Sequence, residues 1–438
     1  MENFKNNQKK SNMQKVALTA LAGTSIEWYD FFLYGAAAAL IFPTAFFGEM
    51  PPTTALLLSL LTFAAGFIAR PIGGIIFGHF GDKVGRKKTL ISALMLMGIS
   101  STLIGLLPTY AMIGVAAPIL LTTLRFAQGL AIGGQWGGAM LLVTESAPSD
   151  QRGYYGAFAQ AGAPIGVILA NLALIITSAL VSEEFFNTWG WRIPFLASAV
   201  LILISMYIQL NLEDTDAFKA LTNNKDTQSN ENIQKSPVVV AIRKYPKRIF
   251  LAAGAFLSVQ VTFYILIAFM LAYGVTSANM ARDDMLAAVL IASAIMVPIQ
   301  FVFSSYSDRH GRKGIFMLGA VLTGIWAFAI FPLVDTGNFY LIVLAITGGL
   351  VFLAMMYGPQ AAFFTELFST EVRYSGATLG YQFGAIVGGA FAPTIAVKLW
   401  TEFDIIWVSA YIALASLLTL ISVMALTETY QSDLNNTD

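Results

Sequence analysis

The 438-residue sequence has no cysteine and few charged residues. Without cysteine, the chain can form neither disulfides nor thiolate metal sites. Lys, Arg, Asp and Glu make up 11% of the residues, against about 25% in soluble proteins. The basic and acidic residues balance at 25 each, so net charge does not indicate a nucleic-acid partner. The two histidines, His79 and His310, belong to no catalytic set, and no phosphate-cradling loop is present. The sequence therefore predicts a protein that is not an enzyme and needs no metal or cofactor.

Apolar residues make up 57% of the chain, more than a soluble fold could bury. Segments of about 20 apolar residues match a hydrocarbon core about 30 Å thick. The sequence predicts an all-α membrane protein with twelve transmembrane helices in two pseudo-symmetric halves. The predicted spans are 16–42, 54–80, 89–108, 113–141, 154–181, 193–211, 247–274, 285–306, 314–334, 339–363, 375–398 and 404–426.

One long polar segment, 212–246, divides the chain into an N-terminal half (1–211) and a C-terminal half (247–438). It is predicted to be a flexible cytoplasmic linker with a short surface helix before Tyr245. Predicted loops on its side of the membrane hold 20 Lys and Arg residues, against three on the other side. This bias predicts that both termini are cytoplasmic and that the protein lies in the cytoplasmic (inner) membrane. Six spans per half would relate the halves by an axis along the membrane normal.

Two charged loops recur in the same order in the two halves. The repeated residues are Asp82 and Arg86, which match Asp308 and Arg312, and Glu145 and Arg152, which match Glu366 and Arg373. Positive charge alone would suit a cytoplasmic loop, but membrane topology requires no aspartate. The repeat therefore indicates a duplicated membrane protein. It favours a role for Asp82 in salt bridges or in capping a helix N-terminus of the other half.

Ionisable residues inside membrane spans are costly, so each needs a reason. By helical rise, Glu27, Asp30, Arg70 and Arg125 lie at similar depths near the middle of the membrane. They predict a buried charge cluster, either an ion-pair set that holds helices together or a proton-coupling site. Asp30 is favoured as the coupling acid and Glu27 as the partner of an arginine. The C-terminal half has no comparable acid within a span.

Neutral polar residues form the second group of candidates for substrate binding. Helix packing and substrate contact both remain open for each of them. With Arg70, the candidates are Tyr34, Gln135, Trp136, Gln260, Tyr264, Tyr357, Gln360, Tyr381 and Gln382.

Several motifs carry a resemblance to a known family. Gly81-Asp82-Lys83-Val84-Gly85-Arg86-Lys87, its echo at 304–313, and 125–129 (Arg-Phe-Ala-Gln-Gly) resemble the signatures of the major facilitator superfamily. Segments 26–35, 67–74 and 190–195 are similar to its metabolite:proton symporter family. Segments 133–139, 144–148, 366–368, 373–376 and 380–382 are similar to the shikimate-transporter branch of that family.

The resemblance implies two six-helix domains that rock around a central cavity. The repeated charged residues would form cytoplasmic latches that hold an outward-open state, and Arg125 would assist proton movement. Relatives commonly carry Glu where this chain has Gln135, which leaves the coupling at that position open.

The sequence thus predicts a monomeric importer of a small organic anion, shikimate-like or another carboxylate, by proton symport across the lipid bilayer. One alternative is a betaine or proline carrier, in which Trp28 and Trp136 would hold a quaternary ammonium group. The other is a non-transporting nutrient sensor, for which 212–246 is too short to be a signalling domain.

Overall fold

The computed structural model describes residues 2–84, 86–213, 237–369 and 372–430. Side chains are described for these residues except 2–12, 78–84, 86–87, 89–90, 134–139, 141–142, 208–213, 237–239 and 374. Twelve long helices account for most of the described chain. They are α1 (Glu2–Leu40), α2 (Pro52–Val84), α3 (Arg86–Leu106), α4 (Ala116–Ser146), α5 (Arg152–Leu180), α6 (Ile193–Glu213), α7 (Pro246–Thr276), α8 (Arg282–His310), α9 (Arg312–Val334), α10 (Phe339–Glu366), α11 (Arg373–Gly384, Ala385–Ala390 and Ala392–Glu402) and α12 (Ile406–Ala425).

Ten of these helices in the described chain are long and apolar enough to cross a membrane, and α1 and α3 are not among them. In α1, Glu27, Asp30 and neighbouring polar residues lower the hydropathy. In α3, the apolar part whose side chains the structure describes, Ile91–Leu106, is shorter than a membrane span. Both helices nevertheless pack within the bundle, α1 against α5 and α6 and α3 against α4 and α6. The prediction of twelve helices therefore holds for the architecture.

Helix ends differ from the predicted spans where polar residues continue a helix. Helix α1 begins at Glu2 instead of residue 16, and α2 continues to Val84, through part of the predicted loop 81–87. Polar side chains do not end a helix once it leaves the hydrocarbon, because its backbone bonds are internal. Short helices also occur between the long ones, at Phe42–Phe47, Tyr110–Ile113, Glu183–Thr188, Gly190–Arg192 and Pro237–Lys244. The last confirms the short helix expected before Tyr245, whereas 214–236 lie outside the described residues.

Helices α7 and α11 each contain a π-helical segment near mid-length. The segment in α7, Ile265–Phe269, follows Tyr264 directly, and the segment in α11 is Ala385–Ala390. A π-helical turn widens the helix and turns the next side chains, and it is often found at functional sites. The segment in α7 contacts α1 and the segment in α11 contacts α2, so both lie where the second half of the chain meets the first.

Glycines allow α2 and α4 to cross closely. A Cβ atom on Gly129 would lie 2.1 Å from the backbone oxygen of Gly66, and one on Gly133 would lie 1.9 Å from that of Arg70. Real Cβ atoms do not approach so closely, so larger residues would push the helices apart. The crossing brings Arg70 of α2 and Arg125 of α4 to the same level of the bundle.

Candidate functional site

A small cavity lies in the bundle between helices of both halves. Its walls come from α1, α5, α7, α10 and α11 and include Trp28, Gln260, Tyr264, Tyr357 and Tyr381. The cavity measures about 10 Å³, which is roughly the smallest space that admits one water molecule. Four residues predicted to contact substrate therefore meet here, but the helices have closed around them.

Arg70 lies against aromatic rings next to this cavity. Its guanidinium carbon is 4.3 Å from the ring centre of Phe31, 4.5 Å from that of Phe67 and 5.2 Å from that of Trp28. The residue is 1% exposed, and Nε and Nη2 have no hydrogen-bond partner among the described residues. The charge lies within electrostatic reach of the cavity tyrosines, among them Tyr264. Arg70 is thus a buried cation with free donors.

Arg125 packs in the same way on the other arginine-bearing helix. Its guanidinium carbon lies 4.0 Å from the ring centre of Phe31 and 4.3 Å from that of Tyr34. Its Nη1 donates to Oε1 of Gln128 at 3.1 Å, and Gln128 in turn donates to Oγ of Ser101 at 2.7 Å. Nε and Nη2 of Arg125 have no partner in the part of the chain that the structure describes. The Phe31 ring therefore makes cation–π contacts with both arginines.

Asp30 is buried within electrostatic reach of Arg125. It is 1% exposed, and neither carboxylate oxygen has a hydrogen-bond partner among the described residues. Ser101, Ser198 and Arg125 are its polar neighbours. A buried carboxylate without partners is costly, and accepting a proton removes most of that cost. Arg125 lies within electrostatic reach of both Asp30 and Arg70, and the roles of the three residues stay predictions.

The remaining predicted site residues lie at varying distances from this centre. Glu27 is half-buried one turn before Asp30. Tyr34 is not in the cavity wall; its hydroxyl donates to Oγ1 of Thr62 at 2.7 Å. Gln360 and Gln382 are buried near the cavity tyrosines on α10 and α11. Gln135 and Trp136 belong to α4, but their side chains lie outside the described part of the structure.

The repeated charged residues gather at one end of the bundle, which we call the basic face. Arg312 binds Asp308 through Nη1–Oδ1 at 2.6 Å, and it binds Glu366 through Nη2–Oε1 at 3.2 Å and Nε–Oε2 at 3.3 Å. Arg152 lies 3.9 Å from Glu366. A second ion pair across the halves joins Arg373 to Glu145 at 3.4 Å. The side chains of Asp82 and Arg86 lie outside the described residues.

Asp308 also caps a helix of the other half. The backbone N–H groups of Gly153 and Tyr154, at the start of α5, donate to its two carboxylate oxygens at 2.8 and 2.7 Å. A helix N-terminus carries partial positive charge, so an acid there is stabilising. The sequence predicts this arrangement for Asp82, and its copy Asp308 has it.

The chain after α12 joins the basic face, which the sequence did not indicate. Glu428 accepts hydrogen bonds from the backbone N–H of Arg312 at 3.0 Å and of Lys313 at 2.9 Å. The hydroxyl of Thr429 donates to Oε2 of Glu366 at 2.7 Å. Neither residue belongs to the repeated charged loops from which the latch residues were predicted. Residues 428–429 thus connect the start of α9 to the ion pairs of the basic face.

A smaller cluster closes the other end of the bundle, which we call the opposite face. Arg282, at the start of α8, donates to Oγ of Ser178 at 2.9 Å and to Oδ1 of Asn187 at 3.2 Å. Ser178 donates to Oδ2 of Asp283 at 2.8 Å, and the guanidinium of Arg282 lies 4.0 Å from the ring centre of Phe186. The sequence did not indicate this cluster, because Ser178 and Asn187 are about a hundred residues away from Arg282.

Between the two faces, α5 is hydrogen-bonded to the second half along most of its length. Gln300 donates to the oxygen of Ala157 at 3.1 Å, Gln160 to that of Tyr357 at 3.3 Å, and Asn171 to that of Leu286 at 3.1 Å. Contacts at both faces and in the middle, with a cavity of water size, describe an occluded state.

Relatives of known name match almost the whole chain. It is 40% identical to the inner membrane metabolite transport protein YhjE of Escherichia coli K12, over 97% of this chain and 96% of the relative. It is 36% identical to the shikimate transporter of the same strain, over 92% of each. It is also 33% identical to the proline/betaine transporter of that strain, over 91% of this chain and 80% of the relative.

The fold matches a solved transporter. The proton:xylose symporter XylE, bound to 6-bromo-6-deoxy-D-glucose, superposes with a TM-score of 0.73 at 17% identity and covers 98% of both chains. The model of the Major Facilitator Superfamily matches residues 20–379. With its relatives, the chain is a multi-pass membrane transporter of metabolites. The chain belongs to the Major Facilitator Superfamily.

Proposed function

We propose that the protein imports a small organic anion together with protons, by alternating access around the central cavity. The observation that carries this proposal is the buried set of Asp30, Arg125 and Arg70, with free polar atoms on each, beside the cavity. Ionisable residues inside a membrane bundle commonly mark substrate paths and proton relays. The name of the shikimate-transporting relative supports a carboxylate substrate.

Arg70 is the proposed anion site. Its Nε and Nη2 are two free donors in a fixed fork, which suits a carboxylate. It lies next to the cavity tyrosines, so a bound carboxylate would be held between the halves. Such a contact would favour closure around the substrate.

Asp30 is the proposed proton site, with Arg125 as its positioning partner. Without a proton, the carboxylate would draw Arg125 toward itself; with a proton, Arg125 would lose that attraction. The guanidinium groups of Arg125 and Arg70 both lie against the Phe31 ring. A movement of one guanidinium would therefore change the contacts of the other. Protonation of Asp30 would thereby free positive charge for the substrate anion.

A quaternary ammonium substrate fits this site less well. Phe32 stacks on Trp28 with ring centres 5.1 Å apart, and Arg70 already lies over the same ring. A second cation there would meet two guanidinium groups instead of a free aromatic face. The proline/betaine alternative therefore ranks second.

The halves 1–211 and 247–438 are the proposed moving units, and the ion pairs of the basic face are their latches. We assign the basic face to the cytoplasmic side of the inner membrane, because the chain's Lys and Arg residues concentrate there. Opening of the opposite face would admit substrate and proton, and opening of the basic face would release them.

The test is uptake of labelled shikimate, citrate and betaine into proteoliposomes that hold the full-length protein, with and without a protonophore. A carboxylate should accumulate about tenfold per unit of pH gradient if one proton accompanies it. In Asp30→Asn, gradient-driven accumulation should be lost while exchange of labelled for unlabelled substrate persists. In Arg70→Gln, both should be lost. Asp404→Asn, an exposed acid at the opposite face, serves as the matched control.

Accumulation by Asp30→Asn at the level of the control would refute the proton site. Uptake that is indifferent to the protonophore would refute proton symport. Accumulation of betaine alone would move the assignment to the zwitterion alternative.

A further inference from the structure

We propose that Gln128 is a positioning residue of the proton site: it holds Arg125 away from Asp30 while the bundle is closed, so that Asp30 keeps its proton. This inference rests on the proposed function, since it concerns the same acid. It follows from the hydrogen bonds that Arg125 makes and from those that it leaves unmade.

Asp30 and Arg125 are buried within reach of each other but are not bonded. Asp30 is 1% exposed and Arg125 is 0% exposed, and each lies in the electrostatic field of the other. Neither carboxylate oxygen of Asp30 has a hydrogen-bond partner among the described residues, and the same is true of Nε and Nη2 of Arg125. A buried carboxylate and a buried guanidinium, both charged, are expected to pair, because each is costly to bury alone.

The hydrogen bond that Arg125 does make is to a neutral group. Its Nη1 donates to Oε1 of Gln128 at 3.1 Å. An ionised carboxylate within reach would attract the guanidinium more strongly than an amide oxygen does. The bond to Gln128 instead of Asp30 therefore points to an uncharged Asp30 in the closed bundle.

Gln128 is fixed at both ends of its amide group. A guanidinium only donates, so Oε1 of Gln128 must face Arg125 and Nε2 must face the other way. Nε2 donates to Oγ of Ser101 on α3 at 2.7 Å, and Gln128 and Ser101 are both buried. Gln128 thus cannot follow Arg125 toward Asp30 without breaking a second buried hydrogen bond, which is costly.

The packing around Arg125 leaves Gln128 as its acceptor. The guanidinium carbon lies 4.0 Å from the ring centre of Phe31 and 4.7 Å from that of Phe63, and a Cβ atom on Gly66 would lie 2.7 Å from its Nε. Without Gln128, none of the donors of Arg125 would have a partner in the part of the chain that the structure describes. An ionised Asp30 would then be the better partner.

Few other groups face Asp30. Helix α5 also packs on α1, but residues 153–180 include no charged residue, and α3 and α6 face Asp30 with the neutral hydroxyls of Ser101 and Ser198. The other titratable residues beside Asp30 and Arg125 or on the same helix are Glu27, Tyr29, Tyr34, Arg70 and Tyr264. Arg125 is therefore the cation whose approach sets the charge of Asp30.

The test is an infrared titration of the full-length protein in lipid nanodiscs without substrate. The carbonyl band of a protonated carboxyl group is assigned to Asp30 by its loss in Asp30→Asn. In Gln128→Leu, Arg125 loses its acceptor and pairs with Asp30, so half of the band should be lost at a pH about 1–3 units below that of wild type. In Gln128→Glu, the new carboxylate holds Arg125 and repels an ionised Asp30, so this pH should rise instead. The double variant of Asp30→Asn with Gln128→Glu is the reference for the added carboxyl group.

A neighbouring hydroxyl provides the matched control. Thr102 follows Ser101 on α3 but donates to the backbone oxygen of Gly98 at 2.8 Å, so Thr102→Val should leave the titration unchanged. Thermal unfolding midpoints check the fold, and Gln128→Met replaces Gln128→Leu if the latter does not fold. Shifts in the same direction in both Gln128 variants, or in neither, would show that Gln128 only packs between α3 and α4 and would overturn the inference. A band that persists in Asp30→Asn would overturn it as well.

Uptake into proteoliposomes separates this inference from the function on which it rests. The pH of half-maximal proton-driven uptake should shift with the infrared band in each Gln128 variant. A band that shifts while this pH does not would refute the role of Gln128 in coupling and leave proton symport intact. If the wild type shows no proton-dependent uptake of any carboxylate, the proposed function fails and the coupling role of Gln128 fails with it, whereas the infrared shifts alone decide whether Gln128 holds Arg125 away from Asp30.

Discussion

The two faces of the bundle are closed by contacts of unequal kind. At the basic face, Arg312 and Glu366 are each 1% exposed at the side chain, and Asp308 is 5% exposed. At the opposite face, the side chains of Arg282 and Asp283 are 21% and 42% exposed. Exposed ion pairs contribute little, whereas removing one partner of a buried pair is strongly destabilising. The basic face should therefore be the harder of the two to open.

The difference also lies in what each cluster binds. Asp308 and Glu428 hold backbone N–H groups at the starts of α5 and α9, so the basic face fixes whole helices. The cluster around Arg282 joins side chains, apart from the backbone contact of Asn171 deeper in the bundle. Side chains can change rotamer one at a time, but a capped helix end must move as a unit. In the proposed importer, with the basic face toward the cytoplasm, this difference would favour the state that is open to the outside.

Loss of Asp308 should have the largest effect on this comparison. In Asp308→Ala, Arg312 loses its shortest contact and the start of α5 loses its cap, which should cost the closed basic face about 3–5 kcal/mol. Since the chain has no cysteine, spin labels can be placed at Asp150→Cys and His310→Cys, two exposed sites on this face. The label distance should shift to longer values. Asp284→Asn, an exposed acid at the opposite face, should leave it unchanged, and an unchanged distance in Asp308→Ala would contradict the latch.

A methyl group at Gly153 should have the next largest effect. In Gly153→Ala, Cβ would lie 2.6 Å from Nη1 of Arg312 and 2.9 Å from the backbone oxygen of Ser304. The overpacked contact should cost about 1–3 kcal/mol and partly open the basic face. Gly314→Ala is the matched control on the same face, because its Cβ would meet nothing within 4 Å. The same spin-label pair measures both; equal distances in the two variants would show that Gly153 is not needed for closure.

Loss of Arg282 should have a smaller effect at the opposite face. Arg282→Gln removes a half-exposed cation from Ser178 and Asn187, which should cost about 1 kcal/mol or less. Labels at Glu184→Cys and Asp284→Cys should show a modest gain of open state there. In the wild type, the population of the open state should also depend on salt concentration more at this face than at the basic face. An opening as large as that of Asp308→Ala at its own face would contradict the inequality.

The contacts that sequence reasoning found are those that a repeat or a helical period can encode. Asp308, Arg312, Glu366 and Arg373 were identified because each has a copy in the first half. The approach of Asp30 to Arg125 followed from helical rise, which converts residue number into depth.

Contacts made by tertiary packing alone had no such signal. Glu428 follows the last helix and binds the start of α9, and Arg282 contacts residues of α5 and of a short helix. Tyr34 shows a second limit: it lies near the site and packs against Arg125, but its hydroxyl donates to Thr62 and it is not in the cavity wall. Neither the depth of a residue nor the helical period fixes how a helix is rotated about its own axis. The roles of the predicted site residues stay predictions.

Glu428 offers the smallest and most specific prediction. Burial raises the pKa of Glu428, but hydrogen bonds from the backbone N–H groups of Lys313, Arg312, Tyr430 and Thr429 outweigh it, so the pKa lies below its ordinary value of 4.5. An acid with a lowered pKa stabilises the fold above its unfolded pKa, and this contribution is lost as the pH falls through the folded pKa. Glu428→Gln should therefore lower stability at pH 7 by about 0.3–1 kcal/mol, nearer the low end because the side chain is exposed.

The thermal unfolding midpoints of Glu428→Gln and wild type in lipid nanodiscs, at pH 7 and below pH 4.5, measure this difference. It should be constant from neutral pH to about pH 5.5 and shrink below 4.5, because wild-type Glu428 then also becomes neutral. Glu402→Gln, an exposed acid beside Lys398 at the opposite face, is the control and should show little effect at pH 7. A difference for Glu428→Gln that persists at low pH would mean that packing of this segment, and not its charge at the start of α9, strengthens the basic face.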